Sequence, residues 1–286
     1  MNLKNIIDTH QHGGPCHAPR KLLDHELALQ AADAGMRAIV LKIHEGSTVE
    51  RAIIAQSVAN NKVSVYGGIA LNDFSGGLNP FAVKSAIKMG AKIVWMPTFT
   101  SKYHLDSERK NGFLLPDLSL LCQDIEGISI LDNNGELFPV VLDIIDLIAE
   151  ANIILCLGHL SLPEMKTLAP IAHNRGVKKI TLSHPNSPIT PISLPDQKWL
   201  IEQGVIIERC VVSPIAGRTT WEQWAADIQE TGIENNIIAT DLGQRKNPAP
   251  VEGLNLAVEN LLRFGISEAD LFKMMSETPS SLLGLD

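Results

Sequence analysis

The chain has 286 residues, of which 45% are hydrophobic and 20% charged, and its formal net charge is −8. This charge argues against broad binding to nucleic acid or anionic membranes, because both need a basic surface. No apolar run is long enough to span a bilayer, and the N-terminal stretch lacks a signal-peptide pattern. The cysteines are scattered without a CxxC pair, so no disulfide framework is expected. We expect a soluble cytoplasmic protein that acts on a small molecule and is compatible with a homo-oligomer.

Short runs rich in Val and Ile alternate with longer helical patterns along the chain. The predicted strands are residues 5–9, 38–43, 63–70, 92–96, 153–157, 179–182, 205–212 and 237–240. The predicted helices are residues 24–34, 48–59, 80–89, 139–151, 163–175, 196–203 and 221–230. Residues typical of helix ends precede five of the strands: Gly35, Gly90, Asn152, Gly176 and Gly204. Strand and helix in alternation predict βαβ units with a parallel sheet. About eight units favour one closed (β/α)8 TIM barrel over residues 1–286, with an open doubly wound sheet as the alternative.

One segment, residues 99–138, breaks this alternation. Its Asn134-Gly135 dipeptide lies between ISIL and ELF, a pattern typical of a β-hairpin turn. Long loops without regular structure are uncommon inside compact domains and often form lids. Because the segment follows the fourth predicted strand, we expect it over the C-terminal face of the barrel, as a lid that excludes water or selects substrate. The alternative is a solvated insertion without a role.

Histidine and aspartate residues stand at the ends of the predicted strands. His10 and His12 close the first apolar run, and their spacing of two residues places both imidazoles on one face of a strand. His159, His184 and Asp241 close later runs, in LCLGHLS, ITLSHPNS and IIATDLGQ. Side chains at the carboxyl ends of parallel barrel strands meet at one face, where the active sites of such barrels lie. The pattern therefore predicts a metal-dependent hydrolase.

In this order, the motifs resemble those of the amidohydrolase superfamily. The sequence DTHQH at residues 8–12 is similar to its HxH signature, and residues 277–285 are similar to its closing helix. The resemblance implies that His10, His12, His159, His184 and Asp241 bind one or two divalent ions. Zn²⁺ suits this donor set best, with Mn²⁺, Fe²⁺ or Ni²⁺ also possible. His184 and Asp241 would also be catalytic, with Asp241 taking a proton from metal-activated water and passing it to the leaving group.

The sequence departs from this superfamily at the fourth strand, where many binuclear members carry a bridging Lys or Glu. Here the second strand ends in VLKIHE, with Lys42 and His44 on one face. If that face lines the barrel, Lys42 either bridges two ions as a carboxylated lysine or remains an ammonium that binds an anionic group. If the face is reversed, Lys42 is a solvated anchor. The number of metal ions therefore stays open between one and two.

Further polar residues are candidates for substrate binding. His44, Asn72 and Gln244 stand at or near strand ends, Arg20 follows the first strand, and His104 lies in the interrupting segment. Ordinary loop roles are the alternative for each. We expect hydrolysis of an amide, cyclic amide, lactone or related carbonyl bond. The alternatives are phosphoester hydrolysis or non-oxidative decarboxylation at the same metal site, or a barrel that binds a ligand without catalysis.

Overall fold

The computed structural model describes residues 2–111, 122 and 124–285. The strands are β1 (Ile7–Gln11), β2 (Ala38–Leu41), β3 (Ser64–Tyr66), β4 (Gly68–Ala70), β5 (Ile93–Trp95), β6 (Ile154–Cys156), β7 (Ile180–Ser183), β8 (Val205–Cys210) and β9 (Asn236–Ala239). The helices are α1 (Asp24–Asp33), α2 (Val49–Val58), α3 (Pro80–Lys88), α4 (Lys102–Asn111), α5 (Pro139–Ala151), α6 (Leu162–Asn174), α7 (Leu194–Glu202), α8 (Val212–Ile215), α9 (Trp221–Thr231), α10 (Pro250–Arg263), α11 (Glu268–Phe272) and α12 (Thr278–Leu283).

The strands form a parallel barrel in which regular strand pairing is interrupted at two places, between β3 and β4 and between β9 and β1. We call these two places seams. Strands pair in the orders β1-β2-β3 and β4-β5-β6-β7-β8-β9. Gly67 alone separates β3 from β4, so these two short strands form one barrel position. At the other seam, the amide of Asp241 donates to the carbonyl of His10, and the amide of His12 donates to that of Leu242, both at 2.8 Å. The predicted (β/α)8 architecture is confirmed.

A buried carboxylate ties this second seam together below the site. Asp8 Oδ1 accepts the backbone amide of Thr240 at 2.9 Å, and Asp8 Oδ2 accepts the Thr240 hydroxyl at 2.7 Å. Burial raises the pKa of Asp8 to about 6, although these hydrogen bonds act in the opposite direction. The first residue of the DTHQH motif therefore joins the first barrel strand to the last one.

Side-chain alternation along β2 decides which face lines the barrel. Ile39 and Leu41 pack in the apolar layer between the sheet and the helices. Ala38 and Val40 pack in the barrel interior with Trp95. Because strand side chains alternate, Lys42 continues the interior set beyond the end of the strand. The alternative of a reversed face, with Lys42 in solvent, is wrong, since Lys42 is 1% exposed.

The predicted helix ends are confirmed, whereas some helices were not predicted. The five predicted stop residues all have positive φ: Gly35 71°, Gly90 104°, Asn152 51°, Gly176 95° and Gly204 83°. Helices α4 and α10 were not among the helices predicted from the sequence. The Asn134-Gly135 turn is closed by one antiparallel bridge between Leu131 and Leu137.

Within the described residues, no helix is long and apolar enough to cross a membrane.

Candidate metal centre

The predicted ligands meet at the C-terminal face of the barrel, around a cavity of about 530 Å³. His12, His159, His184 and Asp241 line this cavity, and His10 lies directly behind them with no exposed surface. The remaining described lining residues come from several loops: Ala18, Pro19, Arg20, Lys42, His44, Phe99, His104, Ser187, Ile189, Val212, Ala216, Arg218, Gln244, Arg245, Lys246 and Asn247. The structure therefore brings together the five residues that the sequence places at the ends of four separate strands.

The first half of the centre consists of His10, His12 and Asp241, and we call it the β1/β9 half-site. The Nε2 atoms of the two histidines are 3.3 Å apart. Asp241 Oδ1 lies 3.3 Å from His10 Nε2 and 3.0 Å from His12 Nε2. Burial opposes ionisation of Asp241, but the neighbouring histidines hold its pKa well below its usual range. Two imidazole nitrogens and a carboxylate oxygen therefore converge on one point.

The second half consists of His159 and His184, and we call it the β6/β7 half-site. Their Nε2 atoms are 3.1 Å apart. His159 Nδ1 lies 2.7 Å from His104 Nδ1, and the two rings stack with an interplanar angle of 9°. A His159 ring that offers Nε2 to an ion carries its proton on Nδ1, so it donates that proton to His104. His104, from α4, therefore fixes the orientation of His159.

Both half-sites contain a residue with a left-handed backbone. His184 has φ 39° and Asp241 has φ 51°. The other non-glycine residues with positive φ in the described chain are all asparagines: Asn5, Asn60, Asn61 and Asn152. Such a conformation costs about 1–3 kcal/mol outside glycine and is concentrated at functional sites. Both side chains are thus turned towards the cavity at the expense of local strain.

Gly243 explains how the loop after Asp241 can approach β1. Its φ is 152°, and a Cβ atom there would lie 1.9 Å from the carbonyl oxygen of His12. A side chain at this position would push the loop away from β1 and separate Asp241 from His12. The glycine in ATDLG is therefore required by the half-site itself.

Glu208, on β8, anchors His10 from behind. Glu208 Oε2 lies 3.0 Å from His10 Nδ1, while the hydroxyls of Thr9 and Ser183 donate to its carboxylate at 2.9 and 2.5 Å. Burial would raise the pKa of Glu208, but His10 and these hydrogen bonds lower it to about 2. A carboxylate on the outer nitrogen holds the ring with Nε2 towards the cavity. Glu208 was not among the predicted site residues, because the sequence alone does not decide which face of its strand is turned towards His10.

Cys210 also lies beside His10 and Glu208, close enough for the three to form a possible ligand group. The carboxylate of this group is already occupied by three donors, and neither Glu208 nor Cys210 lines the cavity. We therefore interpret Glu208 and Cys210 as residues that hold the His10 ring in place and not as a separate ligand group.

Five imidazoles around the cavity have pKa values low enough to be neutral near pH 7: those of His12, His44, His104, His159 and His184. Burial is the main cause in each case: it lowers the pKa of His104 to about 3 and of His184 to about 4, and lowers those of His12, His44 and His159 well below their usual value. Neutral imidazole is the form that binds metal ions.

Lys42 lies in the cavity wall next to the β6/β7 half-site. Its Nζ is 5.3 Å from the ring centroid of Trp95, which occupies the end of β5. Its charge helps to lower the pKa of His159 and His184, which places it within electrostatic reach of both. The structure therefore brings Lys42 to the centre, as sequence predicted, and its bridging role stays a prediction.

His44 and Asn72 lie together beside the β1/β9 half-site. The His44 ring stacks on His12 with centroids 5.0 Å apart, and its Nδ1 lies 2.9 Å from the Thr98 hydroxyl. The Asn72 amide donates to the His44 carbonyl and accepts the amides of Thr98 and Thr100. Asn72 has no exposed surface. Substrate contact by Asn72 stays a prediction. Its hydrogen bonds connect the backbone of His44 to that of Thr98 and Thr100.

Three other predicted residues line the cavity: Arg20 and Gln244 from loops, and His104 from α4. Phe99, whose ring lies 4.1 Å from that of His44, and His104 bring the 99–138 segment to the site. The amide of Gln244 donates to the Asp241 carbonyl at 3.0 Å, and the Arg20 guanidinium contacts Cys16 Sγ at 3.0 Å. The described hairpin at Asn134-Gly135 does not line the cavity. The role of residues 99–138 as a lid stays a prediction, and within the described residues it is Phe99 and His104 that lie at the cavity. Residues 112–121 and 123 lie outside the described chain.

Comparison with known proteins places this barrel in a family. Residues 5–208 match the model of a family of unknown function, DUF6282. The chain belongs to this family. Among curated proteins, none matches the sequence.

Solved structures resemble the DUF6282 chain over nearly its whole length. An amidohydrolase from Pseudomonas aeruginosa is 15% identical with a TM-score of 0.64, covering 98% of this chain and 95% of its own. A probable dipeptidase from Pseudomonas aeruginosa is 10% identical with a TM-score of 0.63, covering 98% and 94%. A zinc-bound amidohydrolase from Burkholderia multivorans is 10% identical with a TM-score of 0.51, covering 98% and 99%. The DUF6282 chain thus has the barrel fold of the amidohydrolase superfamily, as its motifs predicted.

Proposed function

We propose that this protein is a metal-dependent hydrolase that cleaves an amide, cyclic amide, lactone or related carbonyl bond. The observation that carries the proposal is the β1/β9 half-site, where two imidazole nitrogens and one carboxylate oxygen are mutually 3.0–3.3 Å apart. Zinc bound by nitrogen and oxygen ligands at 2.0–2.1 Å in tetrahedral geometry has ligand atoms about 3.3 Å apart. The donor atoms therefore fit a zinc-sized ion.

The donor chemistry supports the same ion. Imidazoles and a carboxylate are ligands for Zn²⁺, Mn²⁺, Fe²⁺ and Ni²⁺, whereas Ca²⁺ and Mg²⁺ prefer oxygen. The structural neighbour from Burkholderia multivorans is described as having bound zinc. His10, His12 and Asp241 would hold one ion, with His159 and His184 completing it or holding a second one.

A divalent ion there would polarise a carbonyl oxygen and lower the pKa of water. The residues of this chain supply the remaining functions. Asp241 lines the cavity in its ionised form. This form would accept a proton from the attacking water and donate it to the leaving group. His184 lines the same cavity as Asp241, and Phe99 and His104 line its opposite side.

Carbonyl hydrolysis is favoured over the alternatives of phosphoester hydrolysis and decarboxylation because the amidohydrolases and the probable dipeptidase among the structural neighbours bear carbonyl-hydrolase names. A purely binding role is disfavoured, since the strained backbones of His184 and Asp241 serve to aim polar side chains into the cavity.

The test is a substrate screen with three matched samples: the protein as purified, the protein after chelation, and the chelated protein reloaded with Zn²⁺. Panels of amides, cyclic amides, lactones, phosphoesters and carboxylic acids are scored for acid or amine, phosphate and CO₂ release. We expect carbonyl hydrolysis that chelation abolishes and zinc restores. Phosphate or CO₂ as the sole product would overturn the assigned reaction, and turnover insensitive to chelation would overturn the metal dependence.

A further inference from the structure

The cavity carries a charge opposite to that of the whole protein. Of the described lining residues, five are Lys or Arg and one, Asp241, is acidic. The chain as a whole has 24 Lys and Arg against 32 Asp and Glu. Asp241 is moreover committed to the β1/β9 half-site by its contacts with His10 and His12. The excess of positive charge therefore faces whatever enters the cavity.

Four of these cations come from loops that follow three adjacent barrel strands. Arg20 follows β1, Arg218 follows β8, and Arg245 and Lys246 follow β9. Because β8 pairs with β9, and residues 241 and 242 bond to the end of β1, the loops share one arc of the rim. Phe99 and His104 follow β5, on the opposite side of the barrel. The positive charge is thus concentrated on one side of the entrance.

Within the described chain, no carboxylate lies at ion-pair distance from Arg20, Arg218, Arg245 or Lys246. Some cations elsewhere in this acidic protein do have such partners, for example Arg175 with Asp146 at 2.5 Å and Lys198 with Glu230 at 2.9 Å. Arg20 is close enough to the centre for its charge to help lower the pKa of His12 and His44. Basic side chains left without acidic partners, in a cavity next to a candidate metal centre, are arranged to receive an anion.

We infer that the substrate carries a carboxylate or phosphate group, which binds at the β8-β9-β1 rim while the scissile carbonyl lies at the metal centre. The inference rests on the proposed function for the identity of the scissile bond. The anion-binding rim itself follows from the cavity charge alone. Arg20 and Arg245 would form charge-assisted hydrogen bonds to the anionic group, and the field of the rim would attract it from solution.

Equilibrium binding tests the rim without any turnover. Glutarate and its neutral counterpart glutaramide are titrated calorimetrically into the protein as purified and after chelation, with inorganic phosphate as a third probe. We expect glutarate to bind at least about tenfold more tightly than glutaramide, in both preparations, and less tightly as salt is raised. A stronger response to phosphate than to glutarate would assign the anionic group to phosphate. Equal affinity for glutarate and glutaramide would contradict anion binding by the rim. A preference for glutarate that is lost on chelation would contradict it as well.

Variants locate the binding. Arg20→Gln and Arg245→Gln should each weaken glutarate binding about tenfold without changing metal content, because neither residue belongs to the half-sites. Lys198→Gln, which removes a cation on the exposed face of α7, is the matched control and should bind glutarate like wild type. If both arginine variants bind like Lys198→Gln, the rim is not the anion site. If glutarate binds as expected but no compound is hydrolysed, the rim stands and the proposed hydrolase fails.

Discussion

The two half-sites are built from similar imidazoles but supported in different ways. The β1/β9 half-site includes the carboxylate of Asp241, and its His10 is held by a second carboxylate, Glu208, on β8. The β6/β7 half-site has two imidazoles, and its His159 is held by the neutral ring of His104, on a helix outside the barrel. Negative charge and strand support favour tight metal binding at the first half-site. The second needs a further anionic ligand to hold an ion of its own.

Asp241 is expected to show the largest effect, because the proposed function gives it both a ligand position and the role of general base. Asp241→Asn keeps the shape and one oxygen donor but loses the basic charge. We predict that kcat falls by at least about 100-fold, as general-base contributions are typically about 10²–10⁴-fold, with part of the metal retained. The measurement is kcat and metal content on a substrate from the screen. Turnover near wild type would remove Asp241 from the role of base.

Lys42 decides whether the second half-site holds an ion. A carboxylated lysine would supply the anionic ligand that this half-site lacks, and it would bridge to the first. If Lys42 is this bridge, we predict about two metal ions per chain in the wild type and about one in Lys42→Ala. Elemental analysis in the presence of bicarbonate measures both. Two ions in the variant would show that Lys42 is not the bridge, and its ammonium would then join the anion-binding cations.

Glu208 tests whether support of the first half-site comes from its charge. Glu208→Gln is nearly isosteric and keeps hydrogen bonding to His10, so loss of charge is the main change. We predict that metal affinity at the β1/β9 half-site falls about 10–100-fold, the usual effect of losing an outer carboxylate partner. Competition against a chromophoric chelator measures the affinity. An unchanged affinity would mean that Glu208 only fills space.

His104 should show the smallest effect of the four, since a neutral ring supports His159. His104→Phe keeps the stacked ring but removes the acceptor for His159 Nδ1. We predict an affinity loss of about tenfold or less, confined to the β6/β7 half-site, and partial recovery in His104→Gln. Zn²⁺ titration of the two variants side by side gives the result. An equal loss at both half-sites would contradict their separate support.

The sequence was sufficient to predict the barrel and the residues that cluster at its C-terminal face, because both depend on local pattern. Runs rich in Val and Ile mark the strands, and glycine stops mark the helix ends. His10 and His12 lie at the end of β1, and His159, His184 and Asp241 follow later strands. The supporting residues depend instead on contacts between distant parts of the chain. Glu208 meets His10 across 198 positions, and His104 meets His159 across 55.

The basic rim shows the same limit. Arg218, Arg245 and Lys246 are ordinary loop residues until the barrel brings the loops after β8, β9 and β1 to one arc. Arg20 alone was a substrate-binding candidate from sequence, because it follows the HxH strand closely. No periodicity or motif marks the other three, and only the folded structure places them in one cavity.

Metal content of three samples tests the central claim, that this barrel holds a metal ion between His10, His12 and Asp241. The samples are the wild type, His12→Ala and the control His173→Ala, which removes an exposed imidazole at the end of α6. Each is purified identically, checked for the same thermal unfolding midpoint, and analysed for zinc, manganese, iron and nickel. We predict at least about one ion per chain in the wild type and in His173→Ala, and loss of the β1/β9 ion in His12→Ala. Equal metal content in all three would contradict the metal centre described above.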